Sequence, residues 1–205
     1  MTHSNHRQGT RDNLANDYVV LSLPGRRTED LPDKVEQFKS ICRRHGPVNP
    51  SRIEGGFLSH FVYDSKEKVI GVLKDLGEAD LELSVVVSGL FDEVKECCHA
   101  AGTSPHTVNH SLGFWGKQDK LPHKRMLEVS TMCGHAQVSP SLIYHLAKKV
   151  QGKSMSIGDA AQELTRPCLC NIFNPVRAEE LLSSFLADLE AGSLSEDDLN
   201  LPASV

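Results

Sequence analysis

Three of the six cysteines and one histidine lie in two short motifs in the C-terminal part of the chain. The first motif is Cys-Gly-His at 133–135, and the second is Cys-Leu-Cys at 168–170. Thiolate and imidazole groups are the protein ligands that zinc ions and iron–sulfur clusters take. If the two motifs meet in space, they form one metal-binding site from four residues: Cys133, His135, Cys168 and Cys170.

The segment between the two motifs predicts a helical hairpin. Ser139 and Pro140 are typical of an N-cap and a first helical turn, and apolar residues follow them at helical spacing. Ser156 begins a capping pattern for a second, shorter helix that Pro167 ends. Because two helices joined by a short turn run out and back, we expect the two ends of the hairpin to lie close together. The motifs at those ends are therefore treated as one site.

The spacing within the motifs leaves the identity of the metal open. Structural zinc sites usually have about two to four residues between paired ligands, whereas each motif here has a single one. Iron–sulfur clusters accept more varied spacings, because each cysteine has to reach only its own iron. We therefore favour a 4Fe–4S cluster bound by Cys133, Cys168 and Cys170. His135 is then the fourth ligand, or an acid or base beside the metal.

Three alternatives to the cluster follow from the same residues. One is a zinc ion or another single ion, and a second is a redox dithiol formed by Cys168 and Cys170. The third is a set of buried cysteines that bind nothing, since unpaired cysteine is among the most buried residue types. The remaining cysteines, Cys42 and the adjacent pair at 97–98, fall on predicted helices. Cys42 is expected to pack in the core, and of the adjacent pair one is expected in the core and the other at its edge, because neighbouring side chains on a helix diverge by about 100°.

An iron–sulfur site indicates that the protein is an enzyme, either an oxidoreductase or a lyase. A cluster supports electron transfer and, with an open iron, Lewis-acid chemistry on a small-molecule substrate; redox chemistry would also require an electron-transfer partner. In an extended segment that runs from His106 into the strand predicted at 107–112, His106 and His110 share one face, and Trp115 follows the strand. We expect the two histidines near the substrate as catalytic groups; the alternative is an edge strand that faces water. The alternative is a small-ligand-binding or regulatory module that forms a homodimer through its sheet and carries a structural zinc ion.

Composition argues against several classes of partner. The chain has 205 residues, a formal net charge of −5 and 5% aromatic residues, which is atypical of nucleic-acid binding. No apolar run approaches the roughly 20 residues of a membrane-spanning helix, and the polar start does not resemble a signal peptide. We therefore expect a cytoplasmic protein, where cysteines serve as thiols or metal ligands rather than disulfides.

The residues before the site predict an α+β or α/β fold. Apolar strands at 18–23, 57–63 and 81–87 alternate with helices that begin near Asp30, Ser65 and Asp92, and two further strands are predicted at 107–112 and 126–131. This order is typical of a ferredoxin-like or related sheet with helices packed on it, and it predicts parallel neighbours where a helix separates two strands.

The predicted elements divide the chain into four parts. Residues 1–17 are polar and are expected to form a disordered tail. The sheet domain covers 18–131 and the helical lobe that carries the metal site covers 132–191. Residues 192–205 form an acidic tail.

Overall fold

The computed structural model describes residues 7–23, 25, 29–49, 60–111, 113 and 115–201. In this part of the chain the fold is mixed α/β, with eight α-helices and one three-stranded antiparallel sheet. The chain divides into two units. We call them the sheet unit, whose described residues fall within 10–108 and 170–174, and the helical unit, whose described residues fall within 7–9, 109–169 and 175–201.

The sheet unit is organised around its central strand. That strand, β1, pairs on one side with β2 and on the other with β3, and both pairings are antiparallel. The bounds are Tyr18–Leu23 for β1, His60–Tyr63 for β2 and Ser84–Ser88 for β3. Valine, leucine and tyrosine dominate β1, and its first five residues are buried, as expected for a central strand with both faces covered.

Four helices complete the sheet unit: α1 (Arg11–Leu14), α2 (Leu31–Arg44), α3 (Lys66–Ala79) and α4 (Phe91–Ala100). Helix α3 contacts both α2 and α4. The apolar stripe of α2 includes Phe38, whose ring lies 5.9 Å from that of Phe61 on β2. Cys42, Cys97 and Cys98 are buried in the same core. The prediction for Cys42 is confirmed, whereas both members of the adjacent pair are buried rather than one of them.

The helical unit contains four α-helices and two short 3₁₀ helices. Helix α7 packs against α6 and α8, and α5 contacts α6 and α8. The α-helices are α5 (Lys124–Ser130), α6 (Pro140–Gln151), α7 (Ile157–Thr165) and α8 (Pro175–Glu190), and the 3₁₀ helices are Gln118–Lys120 and Asp197–Leu199. Among the described residues, no helix combines the length and the apolarity needed to cross a membrane.

The predicted hairpin is confirmed as the pair α6 and α7. The Ser139 hydroxyl accepts a hydrogen bond from the backbone N–H of Leu142 at 3.2 Å, and the Ser156 hydroxyl accepts one from that of Asp159 at 3.1 Å. Each serine thus caps its helix by satisfying a donor that has no partner within the helix.

Removing the first of these caps tests how the hairpin is stabilised. We expect Ser139→Ala to lower the free energy of unfolding by about 1 kcal/mol, because the Leu142 N–H loses its acceptor. Urea unfolding followed by circular dichroism measures the change. Ser141→Ala, at an exposed position of the same helix, is the matched control. A loss equal in both variants would contradict the capping role.

The strand directions correct one expectation. Parallel neighbours are predicted for strands separated by a helix, but β1 is antiparallel to both β2 and β3, so that prediction is wrong. After α2, the backbone N–H of Val48 donates to the carbonyl of Val62 at 2.8 Å, so the chain leaving the helix lies beside β2. A helix between two strands therefore does not by itself make them parallel neighbours. The ferredoxin-like arrangement is not confirmed.

Two predicted strands are also wrong where the structure describes them. Residues 107–111 are exposed and form no strand, and Leu112 lies outside the described residues. The segment 126–131 lies almost entirely in α5. Its buried residues Met126 and Val129 are three positions apart, and Arg125 pairs with Glu128 at 3.4 Å across one helical turn. A short apolar run fits both the two-residue repeat of a strand and the 3.6-residue repeat of a helix, and in this protein it forms a helix.

The ends of the chain carry regular structure in their described parts. Within the predicted N-terminal tail, α1 forms and Asp17 is fully buried; residues 1–6 lie outside the description. In the predicted acidic tail, Leu194 and Leu199 are buried, and residues 202–205 are not described. Asp30 does precede α2, but its side chain makes no capping hydrogen bond there, because the residue adopts a left-handed backbone conformation.

Candidate metal centre

Three of the four predicted ligands form a compact group. The sulfur atoms of Cys133 and Cys170 and one ring nitrogen of His135 all lie within 4.8 Å of one another. Cys133 is fully buried, Cys170 is partly buried and His135 is exposed. Residues from the two distant motifs are therefore brought together, as the hairpin predicts. This Cys/His/Cys group can bind a metal.

Turns at the ends of helices position the two motifs. Cys133 follows α5 by three residues, in a turn closed by a 2.7 Å hydrogen bond from the backbone N–H of Gly134 to the carbonyl of Thr131. The second motif follows α7, and a hydrogen bond of 3.3 Å joins the motifs' loops, from the Leu169 N–H to the Gln137 side-chain oxygen. Ligands presented by turns on rigid helices are held in place by the helices behind them.

Left-handed backbone conformations cluster around the three ligands. Gly134 has φ of +74°, Ala136 has +52° and Asn171 has +57°. Glycine adopts this region without cost, and asparagine tolerates it, but an alanine there costs about 1 to 2 kcal/mol. Such strain persists where the surrounding structure holds it, and it is concentrated at functional sites.

Cys168 does not belong to the compact group. It is buried, with 7% of its surface exposed, at the end of the turn after α7, where its backbone N–H donates to the Thr165 carbonyl at 3.1 Å. Leu169, between the two cysteines of this motif, is 76% exposed. No disulfide involves any of the six cysteines.

The structure places the other predicted site residues on exposed segments. His106 and His110 are both exposed, and the residues around them form neither helix nor strand. Trp115 is 83% exposed. None of the three is part of the compact group, and the strand face that was expected to orient the two histidines is absent from residues 107–111.

Two shielded arginines in the helical unit were not anticipated from the sequence. Arg7 is partly buried, with Nε and Nη2 of its guanidinium removed from solvent, and Arg177 at the start of α8 is 2% exposed. The pKa of Arg7 is lowered to about 9, first because burial penalises its charge and second because Arg177 repels it. A negative charge on Cys133 acts in the opposite direction and favours the charged form of Arg7.

Burial and two nearby carboxylates act in opposite directions on the pKa of Arg177. Burial lowers its pKa to about 10, and the carboxylates of Glu128 and Glu180 oppose that change. Its position has a sequence signal, because Arg177, Leu181 and Phe185 are spaced by four and share the apolar face of α8. Arg7 has no comparable signal.

Comparison of the chain with models of protein families, with curated proteins and with solved structures gives no match.

Proposed function

We propose that the protein is a metalloprotein whose centre holds a single transition-metal ion, with Cys133, His135 and Cys170 as three of its ligands. The observation that carries this proposal is the mutual separation of the three ligand atoms, at most 4.8 Å. Around one tetrahedral ion, metal–ligand bonds of about 2.0 to 2.3 Å place the ligand atoms roughly 3.5 to 3.8 Å apart. The observed group needs only small side-chain adjustments to reach that geometry.

Zinc fits this set of ligands best. Two thiolates and one imidazole are a recognised combination for catalytic zinc, in which a fourth position is left for water or substrate. His135 is exposed and Cys170 partly exposed, which would leave such a position open to solvent. A bound ion would there act as a Lewis acid on a small molecule. If instead the Cys168 thiolate turns inward as the fourth ligand, the site is closed and structural, as in a binding or regulatory module.

An iron–sulfur cluster is the second candidate, and Cys168 is the observation in its favour. In a cluster each cysteine binds a separate iron, so the thiolates lie farther apart than the ligands of one ion. Cys168 is buried, two residues from Cys170, and outside the compact group. In the proposed cluster, Cys168 would bind another iron. Redox or Lewis-acid chemistry on a small molecule would follow, with an electron-transfer partner in the redox case.

Metal analysis of protein purified without oxygen distinguishes these proposals. We expect about one zinc per chain, no visible absorption, and a decrease in thermal stability when a strong chelator removes the ion, because binding to the folded state alone stabilises it. Substitution of cobalt for zinc should give the intense absorption of a tetrahedral thiolate site. Brown protein that contains iron and inorganic sulfide would instead establish the cluster. Protein that neither retains nor takes up a metal would reject both.

A further inference from the structure

Cys133 and Cys170 supply the two sulfur atoms of the compact group. These sulfur atoms lie within 4.8 Å of each other, although the helices α6 and α7 separate the two residues in the chain. A disulfide requires an S–S distance of about 2.0 Å. Rotation of the side chains about their Cα–Cβ bonds is the movement that brings the two sulfur atoms together. The pair is therefore a candidate for a reversible disulfide as well as for metal binding.

Cys168 is the other cysteine of the second motif, and it is less suited to such a bond. Its sulfur atom lies outside the compact group. A disulfide between Cys168 and Cys170 would join residues only two positions apart, a spacing that strains the bond. The positions of the sulfur atoms thus favour Cys133 as the partner of Cys170.

Cys170 is the accessible member of the pair. It is partly buried, its neighbour Leu169 is 76% exposed, and His135 is exposed, whereas Cys133 is fully buried. A small oxidant therefore reaches the sulfur of Cys170 first. Cys133 then lies within reach as the second thiol, shielded from the oxidant itself.

The cysteines in the core of the sheet unit are poor targets for the same oxidant. Cys42 and Cys97 are fully buried and Cys98 is 6% exposed. Burial raises the pKa of the Cys42 thiol to about 12 and that of Cys97 to about 11, and it also raises the pKa of Cys98. Because the thiolate is the reactive form, oxidation should be selective for the pair in the compact group.

We propose that Cys133 and Cys170 form a thiol–disulfide switch that a hydroperoxide closes, with release of the metal ion. This inference rests on the metal-binding function proposed above. It adds the chemical class of a second reactant, a small hydroperoxide such as hydrogen peroxide, and a means of regulating the site. Only thiolates act as metal ligands, so the disulfide leaves His135 as the one remaining ligand of the compact group.

The reaction has two steps. The Cys170 thiolate attacks one oxygen of the peroxide, the O–O bond breaks, and a sulfenic acid forms while the departing hydroxide takes up a proton to become water. The Cys133 thiolate then attacks the Cys170 sulfur, and the sulfenic hydroxyl leaves as a second water after protonation. Two thiolates lose two electrons in total, and one hydrogen peroxide is reduced to two waters.

Zinc release and disulfide mapping on the full-length, zinc-loaded protein test the switch. We expect hydrogen peroxide to release the bound zinc to a chromophoric indicator as two of the six thiols disappear. A thiol reductant should restore zinc binding. After digestion with trypsin, the disulfide should join peptide 126–148, which contains Cys133, to peptide 154–177, which contains Cys168 and Cys170.

Single substitutions identify the second sulfur atom of the bond. Cys168→Ala should keep the link between the two peptides, and Cys170→Ala should lose it. Cys42→Ala is the matched control and should behave like the wild type. Fragmentation of the linked wild-type peptides in a mass spectrometer also assigns the bond to Cys168 or Cys170, so the result does not depend on the folding of a variant.

Several outcomes would overturn the inference while the metal-binding function stands. They are zinc release without a disulfide, a bond of Cys168 to either neighbouring cysteine in place of the predicted one, and a sulfinic acid at Cys170 that a thiol reductant does not reverse. Zinc that stays bound in excess peroxide would overturn it as well. Failure of the reduced protein to bind zinc would instead overturn the proposed function, and this is measured before any oxidant is added.

Discussion

Cys133→Ala is expected to abolish high-affinity metal binding. Cys133 is the buried member of the group, and its replacement leaves His135 and Cys170 as the only two members of the compact set. The binding free energy of a structural zinc ion held by four ligands is about 10 to 16 kcal/mol. One ligand therefore contributes about 3 kcal/mol to metal binding. That corresponds to at least about a 100-fold loss of affinity. Competition with a chromophoric chelator measures it.

The other cysteines make this experiment specific. Cys170→Ala should weaken binding to a similar extent, whereas Cys42→Ala, at a fully buried position in the sheet unit, should leave it unchanged. Cys168→Ala is informative in either direction. Retained affinity supports an ion with an open fourth position, and loss supports either a closed site or a cluster. Equal metal content in the Cys133, Cys170 and Cys42 variants would refute the ligand assignment.

Asn49→Ala is expected to lower the free energy of unfolding by about 3 kcal/mol. The Asn49 amide donates to the carbonyls of His60 at 3.0 Å and Asn171 at 2.7 Å, and its oxygen accepts from the Val62 N–H at 2.9 Å. Alanine removes all three bonds and leaves shielded backbone groups without them, at about 1 kcal/mol or more for each group. Urea unfolding of the metal-free protein measures the loss.

Two further variants show whether the hydrogen bonds are responsible. Asn49→Asp keeps an acceptor for Val62 but cannot donate to the two carbonyls, so we expect it to be destabilised as well. Asn109→Ala replaces an exposed asparagine and should be neutral within about 0.5 kcal/mol. A small effect of Asn49→Ala, comparable with that of Asn109→Ala, would show that these bonds contribute little.

The compact Cys/His/Cys group could be anticipated because its causes are mostly local. Ser139 and Ser156 begin two helices through hydrogen bonds to neighbours three residues ahead, and the hairpin then brings the flanking motifs together. The spacing of the motifs does not determine which way each side chain points. For this reason Cys168, two residues from Cys170, could be proposed as a ligand although it lies outside the group.

The features that sequence reasoning missed depend on contacts between distant residues. The hydrogen bond from the Val48 N–H to the Val62 carbonyl on β2 joins residues that no periodicity pairs. Residues 126–131 fit a strand or a helix equally well, and packing of Met126 and Val129 in the core favours the helix. Arg7 lies in a polar stretch that has no apolar pattern, so the shielding of its guanidinium could be recognised only from the folded chain.

The segment Cys170–Asn174 has a practical consequence for dissecting this protein. It belongs to the sheet unit although it follows α7 in the chain. There the Asn171 carbonyl accepts from Asn49, and the Asn174 amide donates to the Asp17 carboxylate at 3.0 Å. A recombinant fragment that stops after α4 would forfeit both bonds, so truncation at one site cannot yield an intact sheet unit. A fragment of the sheet unit would have to retain residues 170–174, by grafting or by circular permutation, to keep both hydrogen bonds.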